Sequence, residues 1–294
     1  MSGGGGDSDA PAGTGDAALT GDAPPGAACA GKMAQPADAT WTIMVGGQAR
    51  TAKVHVPPGY DPAKRTPVVL NIHGRTQDAQ AQANLSHAIA KSNAAGFILV
   101  HPQSATSPTS WNSGTCCDPA VANNVDDTAF FGKLLDELDA KLCVDTDRVF
   151  AMGMSNGAYE SHTLGCKLAD RIAAIGPVAG LLLQSPCSPA RPVPAMLING
   201  TSDTLSQYQY VAQGVTFWTG KNHCTTEMQT YQQGDVTCVT HGGCTDGADV
   251  VLCTVQGGGH QWPGGDTLPF LGTKSDNINA TDALWSFFAA HPRS

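Results

Sequence analysis

From residue 67 onward, short continuous apolar runs alternate with longer stretches of helical periodicity. The runs at 67–72, 96–100, 148–152, 173–178, 194–199 and 249–255 read as strands buried on both faces, with 249–255 the last strand of the chain. Between them, 126–142 places Phe130, Leu134, Leu135, Leu138 and Leu142 on one helical face. An Ala-rich helix is predicted over 79–94, and others from 155 to about 169, over 208–220 and over 280–290. Ahead of this series, 41–45 and 49–56 predict a hairpin turning at Gly46-Gly47, ended by Pro57-Pro58-Gly59. Strands alternating with helices predict an α/β fold: a mostly parallel central sheet with helices on both faces. A polar loop over 104–123 is long for a compact domain, which points to a functional or pinned segment.

Composition divides the chain. Residues 1–27 are Gly, Ala, Asp, Pro, Ser and Thr with almost no large apolar side chain, and such a tail is expected to be disordered. Residues 28–294 then form one domain, and a hydrophobic content of 41% supports a sizeable core. The net charge of −9 disfavours nucleic acid or an anionic membrane as partner, and Asp7, Asp9, Asp16 and Asp22 sit in the tail. No apolar run approaches the roughly 20 residues of a membrane span.

Ten cysteines without zinc-type spacing read as disulfides, hence an oxidising location: secreted, periplasmic or cell-surface. The opening Met-Ser-Gly-Gly-Gly-Gly-Asp looks like a mature exported or lipoprotein sequence restarted with Met, which is an expectation. Cys224, Cys238, Cys244 and Cys253 bracket one segment, and Cys238 and Cys244 are close enough to pin a small loop. Cys116-Cys117 bridge each other or two separate partners.

The chemistry concentrates at strand ends. Gly153-Met154-Ser155-Asn156-Gly157 follows a strand and opens a helix, the setting in which a sharp turn lifts a serine hydroxyl clear of the backbone. With 34 glycines in the chain the motif is weak by itself. Two further strand ends carry Asp203 and His260, giving the chain order Ser, Asp, His. Ser155 is then the nucleophile, His260 its base and Asp203 the group orienting the imidazole. The expected oxyanion donors are the backbone N–H of Asn156 and one at Arg75 or Thr76. His223 and His241 are rivals for the base. His260 is preferred because a glycine run lets its loop approach the site. His73 is expected to be a structural hydrogen-bonder, and Trp111 and Trp262, in loops at the active edge, are candidate substrate-stacking residues.

These stretches together resemble the secreted esterase family of polyhydroxybutyrate-depolymerase-like esterases and the feruloyl esterases of carbohydrate esterase family 1. The resemblance rests on His73-Gly74-Arg75-Thr76-Gln77, Trp111-Asn112 with Cys116-Cys117, the Ser155 motif, Asn199-Gly200-Thr201-Ser202-Asp203 and Gly258-Gly259-His260-Gln261-Trp262-Pro263-Gly264, and it covers residues from about 50 to 292. Arg75 departs from it, since many members carry a small residue or cysteine there. The resemblance implies an α/β-hydrolase fold and the triad Ser155, Asp203 and His260. The expected activity is serine ester hydrolysis without metal or cofactor, on feruloyl or acetyl esters of plant cell-wall polysaccharide. The alternatives are a polyester such as polyhydroxybutyrate, a peptide substrate, or a catalytically dead surface-binding protein on the same scaffold.

Overall fold

The computed structural model describes residues 29–293, so the expected disordered tail at 1–27 lies outside the described residues. A ten-stranded sheet in the order β1-β2-β4-β3-β5-β6-β7-β10-β9-β8 runs through the molecule. Its centre is parallel: β4 (Ile98–Pro102), β3 (Thr66–Ile72), β5 (Val144–Met154), β6 (Ala174–Val178), β7 (Ala195–Gly200) and β10 (Val250–Val255). Every residue of β3, β4, β6 and β7 is buried, as expected of strands covered on both faces. The predicted hairpin, β1 (Asp38–Val45) with β2 (Gln48–His55), pairs antiparallel on one side. Its turn needs left-handed backbone at Gly46 and Gly47, with φ of 54° and 83°.

Alternate side chains of the strands feed two cores. Val68, Leu70, Ala151, Ile175 and Leu197 pack with Phe130 and Leu134 of α3 (Asp127–Lys141), Leu164 of α4 (Asn156–Lys167) and Trp218 of α5 (Val211–Lys221). Val69, Phe150, Met152 and Ile198 pack on the opposite face with Leu85 of α1 (Ala79–Ser86), Ala88 of α2 (Ala88–Ala95), and Leu284 and Phe288 of α6 (Ala280–Ala290). Phe150 stacks on Phe288 with the rings 2° from parallel and 4.8 Å between centroids. This is the α/β-hydrolase architecture, and it orients the carboxyl ends of the six parallel strands toward one edge.

Two predicted elements differ. The helix expected over 79–94 is two helices, broken at His87 in left-handed backbone with φ of 54°. The carbonyls that would continue it are taken by distant groups. Leu85 O accepts the Asp266 N–H at 3.0 Å, and Ser86 O accepts the Thr281 hydroxyl at 2.6 Å. The strand 249–255 is also preceded by a hairpin that its sequence does not announce: β8 (Thr226–Gln233) and β9 (Val236–Gly242). β8 is exposed along nearly its whole length, so it lacks the alternation that marks a half-buried strand.

All ten cysteines are paired, as Cys29–Cys143, Cys116–Cys117, Cys166–Cys187, Cys224–Cys244 and Cys238–Cys253. The expected small loop between Cys238 and Cys244 is therefore corrected. Cys238 faces Cys253 across the β9–β10 register, so the sheet and not sequence proximity selects its partner. Five disulfides fit an oxidising compartment.

Candidate active site

β5 delivers Ser155 to the carboxyl edge. The chain turns there in strained backbone, φ 56° and ψ −122° at Ser155, before α4 begins at Asn156. The turn is tight against its neighbours. A Cβ on Gly157 would stand 2.1 Å from Ile72 O, and one on Gly153 would stand 2.5 Å from Gly157 O. The Ser155 N–H donates to Val178 O of β6 at 3.1 Å, which fixes the turn to the sheet.

Asp203 follows β7, and both it and His260 are buried. Asp203 Oδ1 accepts the N–H groups of Leu205 and Ser206, each at 2.8 Å, while Oδ2 accepts from His260 Nδ1 at 2.8 Å. A carboxylate can only accept here, so the proton sits on Nδ1 and Nε2 is left with its lone pair. The loop carrying His260 packs against β7 as the glycine run suggested, since a Cβ on Gly200 would meet Gly258 O at 2.2 Å. Ser206 ties this corner to the serine's helix, bonding Ala179 O at 2.7 Å and Tyr159 Oη at 2.7 Å. Among the described residues no hydrogen bond joins Ser155 Oγ to His260 Nε2, a contact that commonly tightens only around substrate.

The rival histidines lie elsewhere. His241 faces Glu227 at 3.5 Å on the β8–β9 hairpin, and His223 occupies a turn after α5. His73 is structural. It donates from Nδ1 to Gly74 O at 2.8 Å and accepts the Ser104 N–H on Nε2 at 3.2 Å, and burial pulls its pKa down to about 4.

Of the expected oxyanion donors, Thr76 is corrected. Its N–H is spent on Thr109 O at 2.9 Å. Among the described residues the N–H groups of Arg75 and Asn156 have no protein acceptor, so these two remain available to a developing oxyanion. The Arg75 guanidinium is drawn aside, with Nε donating to Asp118 O at 2.9 Å.

Trp111 and Trp262 are corrected as well. Their exposures of 0% and 1% leave no face for a substrate. Trp111 lies beneath the site, donating from Nε1 to His73 O at 2.9 Å and packing on Phe130 and Phe131. Trp262 donates to Thr281 Oγ1 at 3.1 Å. Loop position marked both for the active edge, but the loops fold back and large apolar rings fill the space beneath.

The sequence reading missed what holds the site from below. The Asn156 side chain grips the Trp111 backbone in both directions, accepting its N–H at 2.7 Å and donating to its carbonyl at 3.2 Å. Ser113 donates to Glu160 Oε2 at 2.8 Å, and Asn112 N–H donates to Asp127, which pairs with buried Arg50 at 2.8 Å. These partners lie 15 to 77 residues apart, so no local pattern could reveal them.

Residues 51–215 match the family model described as "Esterase PHB depolymerase", which is more than half of the chain. The chain belongs to that family. It is 33% identical over 233 residues to feruloyl esterase B of Piromyces equi, covering 72% of this chain and 42% of that protein. It is 26% identical over 220 residues to a bifunctional acetylxylan esterase/xylanase of Neocallimastix patriciarum, covering 73% of this chain and 31% of that one. The chain thus spans less than half the length of either relative. An acetyl xylan esterase from Aspergillus awamori superposes with a TM-score of 0.63 at 16% identity, covering 82% of this chain and 94% of that chain, a likeness of fold.

Proposed function

We propose that this protein is an exported serine carboxylic ester hydrolase acting on feruloyl or acetyl esters of plant cell-wall polysaccharide. The observation that carries the reading is the buried Asp203–His260 pair at 2.8 Å, on the same sheet edge as a serine held in a strained strand-to-helix turn. In this mechanism His260 Nε2 takes the Ser155 proton as Oγ bonds to the ester carbonyl carbon. The N–H groups of Arg75 and Asn156 receive the oxyanion. Collapse breaks the bond to the alkoxy oxygen, which leaves with the proton from His260. A water, deprotonated by the same imidazole, then releases the acid and restores Ser155. Asp203 keeps the ring in the Nδ1–H tautomer and stabilises its charged form.

The relatives named as feruloyl and acetylxylan esterases support the substrate class. The family's description supports a second reading, hydrolysis of polyhydroxybutyrate or its oligomers. A periplasmic or cell-surface site, including a lipoprotein anchor, is compatible with the disulfides.

Hydrolysis of p-nitrophenyl acetate by the wild type and by Ser155→Ala tests the chemistry, with a loss of about 1000-fold or more expected and equal rates excluding it. Methyl ferulate, acetylated xylan and polyhydroxybutyrate offered side by side test the substrate. Preferential release of 3-hydroxybutyrate would replace the first reading with the second.

A further inference from the structure

Six large apolar side chains stand exposed among the described residues, and three of them, Leu205, Tyr210 and Phe270, lie on the segments that follow the acid and the base. Phe270 stands out. Its side chain is fully exposed, and its backbone takes the left-handed conformation at φ 64°. An exposed ring and a positive φ on a bulky residue each cost free energy, and at a loop tip neither is repaid by packing.

The segment that presents this ring is not loose. Gln261, the buried neighbour of the base, accepts the Leu268 N–H at 2.8 Å and donates to Leu268 O at 2.8 Å and Gly272 O at 3.0 Å. Leu271 O accepts the N–H of His260 itself at 2.7 Å, and Gly259 N–H donates to Thr273 O at 2.8 Å. The base and the tip at Pro269-Phe270 are therefore parts of one clamped loop, with the His260 backbone bonded to the residue next to Phe270 and the ring held out into solvent.

Chemistry assigns this side of the site. The oxyanion points to the Arg75 and Asn156 N–H groups, whereas His260 hands its proton to the departing alcohol. The alcohol half of the ester thus lies on the side of the base, where its loop can meet it. We propose that Phe270 is a stacking platform for the sugar ring that bears the scissile ester, so that this enzyme reads the alcohol as well as the acyl group. The flat ring, with its negative face, suits the C–H face of a pentose or hexose. The inference rests on the sugar-ester reading above, and it locates the recognition of the polysaccharide outside the acyl pocket.

The test uses two esters with the same acyl group: methyl ferulate and a feruloylated arabinoxylan oligosaccharide, or the corresponding acetyl pair if the wild type releases acetate. For Phe270→Ala, kcat/KM on the oligosaccharide is expected to fall about fivefold to tenfold, mostly through KM, with the methyl ester changed less than about twofold. Phe270→Trp is expected to retain the oligosaccharide rate, and the melting temperatures of both variants should match the wild type. Equal losses on the two esters, or no loss on either, would overturn the platform while leaving the sugar-ester reading intact. A wild type that cleaves neither sugar ester but releases 3-hydroxybutyrate would overturn both.

Discussion

Ser155 shows in a single residue what the site costs the fold. Its backbone lies where side chains are strained, and the proposed role as nucleophile is what requires a side chain there. Ser155→Gly should therefore abolish hydrolysis yet unfold at higher urea than Ser155→Ala, by about 1 kcal/mol, after the entropy cost of glycine has offset part of the relieved strain. Glu160, one turn further along α4, poses the opposite problem. Burial, reinforced by Asp127, raises its carboxyl well above its ordinary value of 4.5. The folded chain thus keeps a proton that the unfolded chain surrenders. The associated stability is complete below pH 4.5 and drains away as pH rises through the folded value. Glu160→Gln retains an acceptor for the Ser113 hydroxyl and removes the titration. Urea midpoints for wild type and variant should lie close together at low pH and separate at mildly alkaline pH, with the variant the more stable.

At the scale of elements, the β8–β9 hairpin widens the sheet beyond β10, the strand that carries the chain to His260. It has a weak apolar face, and covalent links compensate. Cys238–Cys253 joins β9 to β10, and Cys224–Cys244 joins the exit of α5 to the end of the hairpin. Replacing Cys238 and Cys253 together by Ser should cost about 3 kcal/mol, the chain-entropy value for a loop of 15 residues. Residual activity after a heat pulse should fall more steeply than in the wild type, because the strand preceding His260 loses its anchor. Unchanged heat inactivation in the double variant would show that the sheet hydrogen bonds hold this edge unaided.

Over the whole molecule, three buried histidines act in concert. His73, His101 and His162 sit in the two cores or directly beneath the site, and burial lowers their pKa values to about 4, about 3 and about 3. Each is neutral in the folded chain and takes up a proton on unfolding once pH drops below the ordinary imidazole value of 6.5. Their combined contribution is complete above that value and is lost progressively as pH falls toward 4, with an opposing gain from Glu160. Melting temperature should therefore decline between pH 6.5 and pH 4 in the wild type, and His101→Gln should flatten that decline. A flat profile in the wild type would mean that these imidazoles find protons in the folded state.

The linear chain determined whatever depends on neighbours in sequence. Continuous apolar runs announced the six parallel strands, because a strand buried on both faces has no polar side to show. The glycines around Ser155 and before His260 announced close backbone approach, and the order of strand ends named the proposed nucleophile, acid and base. Tertiary structure decided whatever depends on which distant groups meet. It broke the helix at His87 by giving Leu85 and Ser86 carbonyls to Asp266 and Thr281, and it paired Cys238 with Cys253 through sheet register. It also buried Trp111 and Trp262 and spent the Thr76 N–H on Thr109. The physical reason is the same in each case. Periodicity records how much of a segment is buried, whereas a hydrogen-bond partner is chosen by three-dimensional proximity, which local sequence does not encode.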